Sequence, residues 1–401
     1  MYTKEQIKQI VKKFIQQDLK KKDILDEKIF DMWKVRTLTQ QEFIGLMKND
    51  ALMIEHLIYF SLFGLLAPTS HNTIPQRFQF IPEKQIIEIL IDRQYILPHS
   101  DATGRQALVS IGCVLQNIEK VANEYGCEVV INYDSVMLKD LQYNISMEKR
   151  YLKIATATFK YLKKMNPNFE NLEILLARKV VRAEYDETVV LEQETIEMMQ
   201  KYVSQNYKKL SLHVVTNKMF LTGFAKIQEI ADRTVIELDS FSRELGNWLL
   251  SNEDVENNLG MRGREFGFDD RFSNRIHDGL QRKVRLLPDE IAGFAIAGKM
   301  AIKKSSALCI LTMKETSTQS YIDAGMAYEY ISLDMQQNGY CNAMHAGMTE
   351  VTVAARMLGA SLRTIEKPAV IFRIGKPLKK QDYDRPHSSR PSLEDVVLYF
   401  D

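Results

Sequence analysis

The sequence predicts an α+β fold in which helices flank β-sheets and two related halves follow one another along the chain. One strong helix is expected at 105–125, where the apolar residues fall on a single stripe: Leu108, Ile111, Val114, Leu115, Ile118, Val121 and Ala122. Short strand patterns lie on both sides of it. A similar order of helices and strands then occurs again in the second half, without an obvious sequence repeat.

In the first half, a helical pattern covers 40–66 and is interrupted at Pro68, which cannot continue a helix. The stretches 78–81 and 86–91 have the composition of strands. Gly126 is a suitable end for the helix at 105–125, and 127–132 alternates as a strand does.

The second half begins near Arg178. The patterns predict helices at 191–205, 237–250 and 321–337, and strands at 210–215, 306–312 and 369–374. Residues 252–288 contain Gly260, Gly263 and Gly267 and are predicted to form a long loop. Such a loop inside a compact domain is usually functional or mobile, so we expect a lid here.

Residues 1–30 are expected to form an amphipathic helical extension, with 31–165 and 166–401 as the two halves. Its apolar residues recur at helical spacing (Ile7, Ile10, Val11, Phe14), and the opposite face carries lysines that continue to Lys20, Lys21 and Lys22. A helix docked on the domain is the favoured interpretation, and a helix on a membrane surface is the alternative. No apolar run reaches the roughly 18 residues of a membrane span.

The composition is that of an ordinary globular protein, with 45% apolar and 26% charged residues. The 53 basic and 52 acidic residues give a net charge of +1, which predicts no attraction to nucleic acid. The four cysteines (Cys113, Cys127, Cys309, Cys341) are widely spaced, which favours free thiols in a cytoplasmic protein over disulfides or a zinc site.

Motifs for several other chemistries are absent from the sequence. It contains no Gly-x-Gly-x-x-Gly after a strand, no phosphate-binding P-loop and no Gly-x-Ser-x-Gly. Its seven histidines lack metal-ligand spacing. Metal-dependent or nucleophilic catalysis therefore has little support.

The most informative stretch is 67–76, which reads Ala-Pro-Thr-Ser-His-Asn-Thr-Ile-Pro-Gln. Two prolines stiffen it, while its hydroxyl and amide side chains can bond to backbone or to a polar ligand. It resembles the Ala-Pro-Ser-x-x-Asn-Thr-Gln-Pro-Trp signature of the nitroreductase superfamily, although Ile74 stands in place of the family glutamine and Gln76-Arg77 in place of the tryptophan.

Further segments resemble the same superfamily, and in particular its double-length, Acg-type members, in which the two subunits of the ordinary dimer are fused. In the order of the family motifs these are 97–105 with 110–113, 178–186, 242–248, 323–325 with 339–347, and 374–378 with 390–396. The resemblance implies a nitroreductase-like mixed β-sheet flanked by helices, and an intramolecular pseudo-dimer.

It also implies one site for flavin mononucleotide (FMN) at the junction of the halves. By resemblance, Arg178 and Arg390 would bind its phosphate and Arg182 would approach the pyrimidine edge of the ring. Val180 replaces a family serine. The remaining candidates are Pro68, Thr69, Ser70 and Asn72 beside the ring and ribityl chain, Ala346 and Gly347 facing the reactive nitrogen, and Arg105, which would serve the other pseudo-site.

The implied activity is an FMN-dependent oxidoreductase that takes hydride from NADH or NADPH and passes two electrons to a quinone, a nitroaromatic or a similar small acceptor. A protein that stores FMN under a lid is the alternative, and a flavin-free scaffold is a third interpretation. Each motif also has a plain structural interpretation: 68–75 as a helix-ending loop, Arg178 and Arg182 on a solvated face, Arg390 as a tail charge, and Arg105 as a local cap. The fused chain is expected to be a monomer or a homodimer.

Overall fold

Two four-stranded antiparallel sheets, one in each half of the chain, form the frame of the described residues. The computed structural model describes residues 2–16, 34–49, 51–141, 149–162, 168–254 and 257–399. The sheets have the strand orders β3-β4-β6-β5 and β11-β12-β10-β7, with the bounds given below.

The elements up to the middle of the chain are, in order, α1 (Lys4–Phe14), β1 (Ile15–Gln16), β2 (Lys34–Val35), α2 (Gln40–Gly45), α3 (Ile54–Leu65), β3 (Gln76–Ile81), β4 (Ile86–Asp92), α4 (Arg105–Glu124), β5 (Cys127–Tyr133), α5 (Leu138–Leu141), β6 (Tyr151–Tyr161) and α6 (Phe169–Ala177).

They are followed by α7 (Gln193–Asn206), β7 (Leu210–Val215), α8 (Lys218–Glu237), α9 (Asp239–Trp248), β8 (Leu249–Leu250), β9 (Met261–Arg262), α10 (Asp270–Leu280), α11 (Pro288–Lys303), β10 (Ala307–Met313), α12 (Thr318–Gln337), β11 (Cys341–Met344), α13 (Gly347–Glu350), α14 (Thr352–Leu362), β12 (Lys367–Gly375) and α15 (Leu393–Val396).

The two halves share one topology. In each, the four strands taken in chain order lie in the sheet as first, second, fourth and third, and a 20-residue helix (α4 or α12) connects the second strand to the third. Each sheet also has a register irregularity between its second and fourth strands, at Ile89/Leu90 and at Leu311/Thr312. The predicted α+β class and the two related halves are therefore confirmed.

Parallel pairing occurs outside the four-stranded ladders. The short strands β8 and β9 pair in parallel, and Val397 of the chain's tail forms a parallel bridge to Phe78 on β3. The end of the second half thus reaches back to the sheet of the first half.

The halves meet where α4 crosses α12. A Cβ atom added to Gly112 would lie 2.0 Å from the carbonyl oxygen of Ile322, and one added to Gly325 would lie 2.0 Å from that of Val109. Each glycine lies seven residues after the first residue of its helix, so the contact is reciprocal, as in a two-fold symmetric dimer. Only glycine permits this backbone approach.

The halves differ mainly in the connection between their first two strands. In the first half this is the tight turn 82–85, whereas in the second half residues 216–306, hereafter the insert, carry α8, α9, α10 and α11. Apolar residues of α8 and α11 cover one face of the second sheet, and α12 lies on its other face.

The first helix is docked on the domain. Ile7, Ile10, Val11 and Phe14 are buried, and Phe14 packs edge-on against Tyr59 of α3. Lysines 20–22, the end of the predicted basic face, lie outside the described residues. No helix in the described part of the chain has the length and apolar character needed to cross a bilayer.

Several predicted elements need correction. The helical pattern of 40–66 forms two helices, α2 and α3. The predicted helix 237–250 corresponds to α9, and the separate helix α8 precedes it. The expected loop 252–288 contains α10, which begins at the N-cap Asp269, whose carboxylate accepts from the N–H of Phe272. Its apolar contacts are sparse and its composition is polar, which is why the sequence resembles a loop.

The glycine contact predicts a strong response to a single methyl group. Gly112→Ala should lower the free energy of unfolding by about 1–3 kcal/mol or more, because neither backbone can retreat without separating the helices. The measurement is urea unfolding followed by circular dichroism. Gly223→Ala is the matched control, since nothing lies within 4 Å of its added Cβ atom. That variant should gain up to about 1 kcal/mol from helix propensity. Equal stability of the Gly112→Ala variant and the parent would contradict the proposed contact.

Candidate functional site

The turn after α3 has an unusual backbone. His71, Asn72 and Ile74 have φ values of 48°, 55° and 52°, in the left-handed region that non-glycine residues avoid. The conformation suits Asn but is strained for a β-branched residue such as Ile74. The N–H of Ile74 donates to the Thr69 hydroxyl over 3.1 Å. Strain of this kind persists only where the surroundings hold it, and it is common at functional sites.

Asn72 joins three segments of the chain. Its Nδ2 donates to the carbonyl of Gly260 in the insert over 2.8 Å and to that of Ser389 in the tail over 2.9 Å. Its Oδ1 accepts from Nη1 of Arg390 over 2.7 Å. The polar groups of this side chain therefore hydrogen-bond the turn to the insert and to the tail.

Arg390 caps the end of α3. Its Nε donates to the carbonyl of Leu65, and its Nη2 donates to those of Leu66 and Ala67, at 2.9, 3.1 and 3.3 Å. Terminal carbonyls of a helix lack partners within the helix and carry partial negative charge, so a cation is well placed here. Its Nη1 donates to Asn72 and to tail carbonyls. The expected contact between Arg390 and a phosphate would require some of these bonds to break.

Arg178 is also buried between the halves. Its Nε lies 2.9 Å from Oε1 of Glu329 on α12, and its Nη2 donates to the carbonyl of Leu66 over 3.1 Å. Burial raises the pKa of Glu329, and the guanidinium of Arg178 opposes that shift. Nη1 of Arg178 is buried and has no hydrogen-bond partner among the described residues.

Arg182 is the arginine whose guanidinium is least engaged. It lies over the ring of Phe266, with 4.8 Å between its Cζ and the ring centroid. Its carbonyl accepts from Nη1 of Arg385 over 3.1 Å, but its guanidinium makes no hydrogen bond or ion pair within the described ranges. Burial lowers its pKa, and the carboxylate of Glu265 opposes this. Its N–H groups therefore remain available to a ligand.

These arginines surround one small cavity of about 40 Å³. It is lined by Pro68, Thr69, Asn72, Arg178, Lys179, Val180, Arg182, Met261, Glu265, Pro386, His387, Ser388 and Arg390. Four of these side chains are basic and one is acidic. His387 is neutral, because burial and the charges of Lys179, Arg178 and Arg390 lower its pKa to about 3. The cavity therefore has an excess of positive charge that an anion would balance.

Six of the ten predicted site residues line this cavity: Pro68, Thr69, Asn72, Arg178, Arg182 and Arg390. Ser70, Arg105, Ala346 and Gly347 do not line it. Ser70 belongs to a chain of hydrogen bonds that leads away from it, from its hydroxyl to Oε1 of Gln106 (2.5 Å) and from Nε2 of Gln106 to Oε1 of Glu350 (2.8 Å). Arg105, the first residue of α4, lowers the pKa values of Asp101 and Glu350 by its charge, against the larger effect of burial.

The loop that carries Ala346 and Gly347 packs against the insert. A Cβ atom added to Gly347 would lie 3.2 Å from Oδ1 of Asp232 and 3.3 Å from Nε2 of Gln228, both on α8. The glycine therefore permits close packing with α8. Its predicted role opposite a flavin nitrogen stays a prediction.

The sequence interpretation missed several residues of the site. Lys179, Met261, Glu265, Pro386, His387 and Ser388 line the cavity, and Glu329 pairs with Arg178. A signal existed for Glu329, which is a lone charge on an apolar stripe of α12. Another existed for His387, which lies between Pro386 and Pro391 in a stiff tail segment.

Three carboxyl groups near the end of the Ser70 chain have raised pKa values. Burial raises the pKa values of Asp101, Asp232 and Glu350 to about 7 each. Asp232 accepts a bond from Nε2 of Gln228 over 2.6 Å and fits between Gly298 and Gly347. A Cβ atom added to Gly298 would lie 1.9 Å from Oδ2 of Asp232, so the glycine leaves room for this carboxyl group.

The raised pKa of Asp232 predicts a pH dependence of stability. The unfolded-state value is about 3.9, so the folded protein binds the extra proton and its stabilising effect is complete below about pH 4. It is lost as pH rises toward 7, the folded-state value. In Asp232→Asn, unfolding free energy should therefore decline less between pH 5 and pH 7, by up to about 1.4 kcal/mol per pH unit. Urea unfolding at several pH values measures this. Asp289→Asn, an exposed control on α11, should keep the parental slope. Parallel slopes for all three proteins would show that Asp232 does not titrate in this range.

Comparisons with known proteins were made for the sequence and for the structure. Neither a family model nor a curated protein matches the sequence. Among solved structures, the chain is similar to a putative nitroreductase from Anabaena variabilis at 12% identity, covering 74% of this chain and 70% of that one, with a TM-score of 0.43. It is also similar to the FMN-dependent nitroreductase NfnB from Mycobacterium smegmatis in complex with NADPH at 14% identity, covering 58% of this chain and 99% of that one, with a TM-score of 0.37. Similarities of this size do not assign the chain to a family.

Proposed function

We propose that the chain is an FMN-dependent oxidoreductase of the nitroreductase superfamily, acting in the cytoplasm. It would accept hydride from NADH or NADPH and reduce a quinone, a nitroaromatic or a similar small acceptor by two electrons. The ordered sequence motifs support the family, and the basic cavity at the junction of the halves supports an anionic cofactor.

The observation that carries the proposal is the charge of this cavity. Four basic side chains and one carboxylate line it, and the guanidinium of Arg182, a lining residue, has no acceptor in the part of the chain that the structure describes. A phosphate monoester carries close to two negative charges near neutral pH, and arginine N–H groups bind it in a fixed fork geometry. The donor chemistry therefore fits the phosphate end of FMN.

The size of the cavity fits the same end. In a cavity volume of this kind one water needs about 10–15 Å³, and sites for whole small molecules are usually about 300–1,000 Å³. The 40 Å³ present here accommodates a phosphate group but no flavin ring. Binding the complete cofactor therefore requires the covering segments, 257–268 of the insert and 386–389 of the tail, to move outward.

The residues divide into two roles in this proposal. Arg182, which the resemblance places at the pyrimidine edge of the ring, is assigned here to the phosphate, together with Lys179 and the unpartnered Nη1 of Arg178. Arg390 and Asn72 would hold the turn and the tail in place around it. Bound flavin would supply the capacity to accept a hydride and to pass on two electrons.

Arg182 is the most direct probe of the site, since its guanidinium has no hydrogen bond or ion pair among the described residues that a substitution would break. Arg182→Leu should weaken FMN binding roughly 10- to 100-fold, the usual effect of losing a charged hydrogen bond. Riboflavin, which lacks the phosphate, should lose much less affinity. Fluorescence titration measures both. Arg356→Leu, on the exposed face of α14, is the matched control. Anaerobic addition of NADH or NADPH should bleach the bound flavin. A parent protein that binds no FMN, or whose flavin neither nicotinamide reduces, would contradict the proposed reaction.

Storage of FMN is the second candidate, and the closed state of the cavity favours it. Besides the bond from Asn72 to Gly260, the insert is fastened to the first half by Glu244. Its carboxylate accepts from the N–H groups of His99 and Ser100 over 2.8 Å each and from the Ser100 hydroxyl over 2.6 Å. A fastened insert would shield a bound flavin from acceptors.

The Glu244 contacts distinguish the two candidates. In Glu244→Gln, one amide N–H would face a backbone N–H, so the insert should open more often. If the protein stores flavin, stopped-flow reduction of bound FMN by NADPH should become several-fold faster in this variant. If it is a turnover enzyme with ready access, the parent should already react fast and the variant should match it.

A further inference from the structure

Three histidines of this chain, His56, His71 and His345, differ in the hydrogen bonds of their rings. His56 is a fully bonded core residue: Nδ1 accepts from the N–H of Met53 and Nε2 lies 2.9 Å from the carbonyl of Phe43. In contrast, Nδ1 of His71 and Nε2 of His345 are buried and have no hydrogen-bond partner in the ranges that the structure describes. A buried polar atom without a partner costs about 1–3 kcal/mol, so two of them on loops beside a candidate site require an explanation.

The two histidines come from different halves of the chain. His71 lies in the strained turn after α3, between Ser70 and Asn72. His345 follows β11, where its N–H donates to the carbonyl of Ile371 over 2.9 Å and fixes the loop on the second sheet. In both cases the backbone is held by contacts that do not involve the imidazole ring.

Arg182 is a charged neighbour of both rings. Burial first, and then the charge of Arg182, lower the pKa of His71 to about 4. Burial, Arg373 and Arg182 lower that of His345 to about 3. Both imidazoles are therefore neutral at pH 7, and a neutral imidazole offers one donor and one acceptor nitrogen.

This chemistry differs from that of the cavity beside it. Arginine and lysine side chains favour an anion, whereas neutral imidazoles favour an uncharged group with both donors and acceptors, such as the edge of a heterocyclic ring. We propose that His71 and His345 hydrogen-bond to the uncharged ring of the cofactor whose phosphate occupies the arginine cavity. The inference rests on the proposed function, and it assigns cofactor contacts to two residues whose buried ring nitrogens have no partner among the described residues.

Two flavins separate ring contacts from phosphate contacts. His345→Leu should weaken binding of FMN and of riboflavin by the same factor, roughly 2- to 10-fold for one hydrogen bond, whereas Arg182→Leu should affect FMN far more than riboflavin. His345→Gln, which restores polar atoms, should recover part of the affinity. At His71 the left-handed backbone calls for His71→Asn, because Asn tolerates it and its shorter side chain withdraws the polar group. His213→Gln, on the distant strand β7, is the matched control.

A second measurement does not depend on variants that fold. In protein labelled with ¹⁵N at histidine, riboflavin should shift the ring signals of His71 and His345, while those of His56 stay in place. Unchanged ring signals, or variants that bind riboflavin as tightly as the parent, would overturn the inference while leaving FMN binding intact. A parent protein that binds neither flavin would overturn the proposed function and this inference together.

Discussion

The close approach of α4 and α12 is the constraint on which the rest of the structure depends. Gly112 and Gly325 bring the two helix backbones into direct contact, each against the carbonyl of the other's preceding turn. Because the contact is reciprocal, it fixes both the separation and the relative orientation of the two halves. Only in that arrangement can the turn of the first half lie against arginines of the second. The candidate site is therefore a consequence of helix packing between the halves.

The arginines at this junction illustrate how burial determines the role of a charged group. Arg390 and Arg178 are deep enough that each must find acceptors, and the terminal carbonyls of α3 together with Glu329 provide them. A buried cation that lost such partners would cost several kcal/mol. The donor groups of these two residues are therefore used mainly in contacts between the halves, and fewer of them are available to a ligand. Arg182 is stacked on Phe266 and is not used in this way, so it retains its donors.

The sequence predicted the frame of the fold well, because alternating and helical apolar patterns record burial directly. The strand 210–215 and the helix at 105–125 agree with β7 and α4 to within a residue. Of the four helices of the insert, only α9 was predicted. The helix α10 was interpreted as a loop because it is polar and its apolar contacts are confined to a small cluster. For the site, six of the ten residues predicted from the motifs line one cavity. The partners that occupy Arg390 and Arg178 could not be predicted, because they come from the end of α3 and from α12, distant in sequence and chosen by tertiary packing.

The two halves are asymmetric in the connection between their first two strands. The first half joins its first two strands by the turn 82–85, whereas the second half places the insert at the equivalent point. The insert reaches across the junction to Asn72 and Ser100, and its residues Met261 and Glu265 line the cavity. A symmetric pseudo-dimer would offer two equal sites, and the insert removes that equality. In the proposed function, the hydrogen bonds from Asn72 and Ser100 to the insert would therefore control access to the cavity.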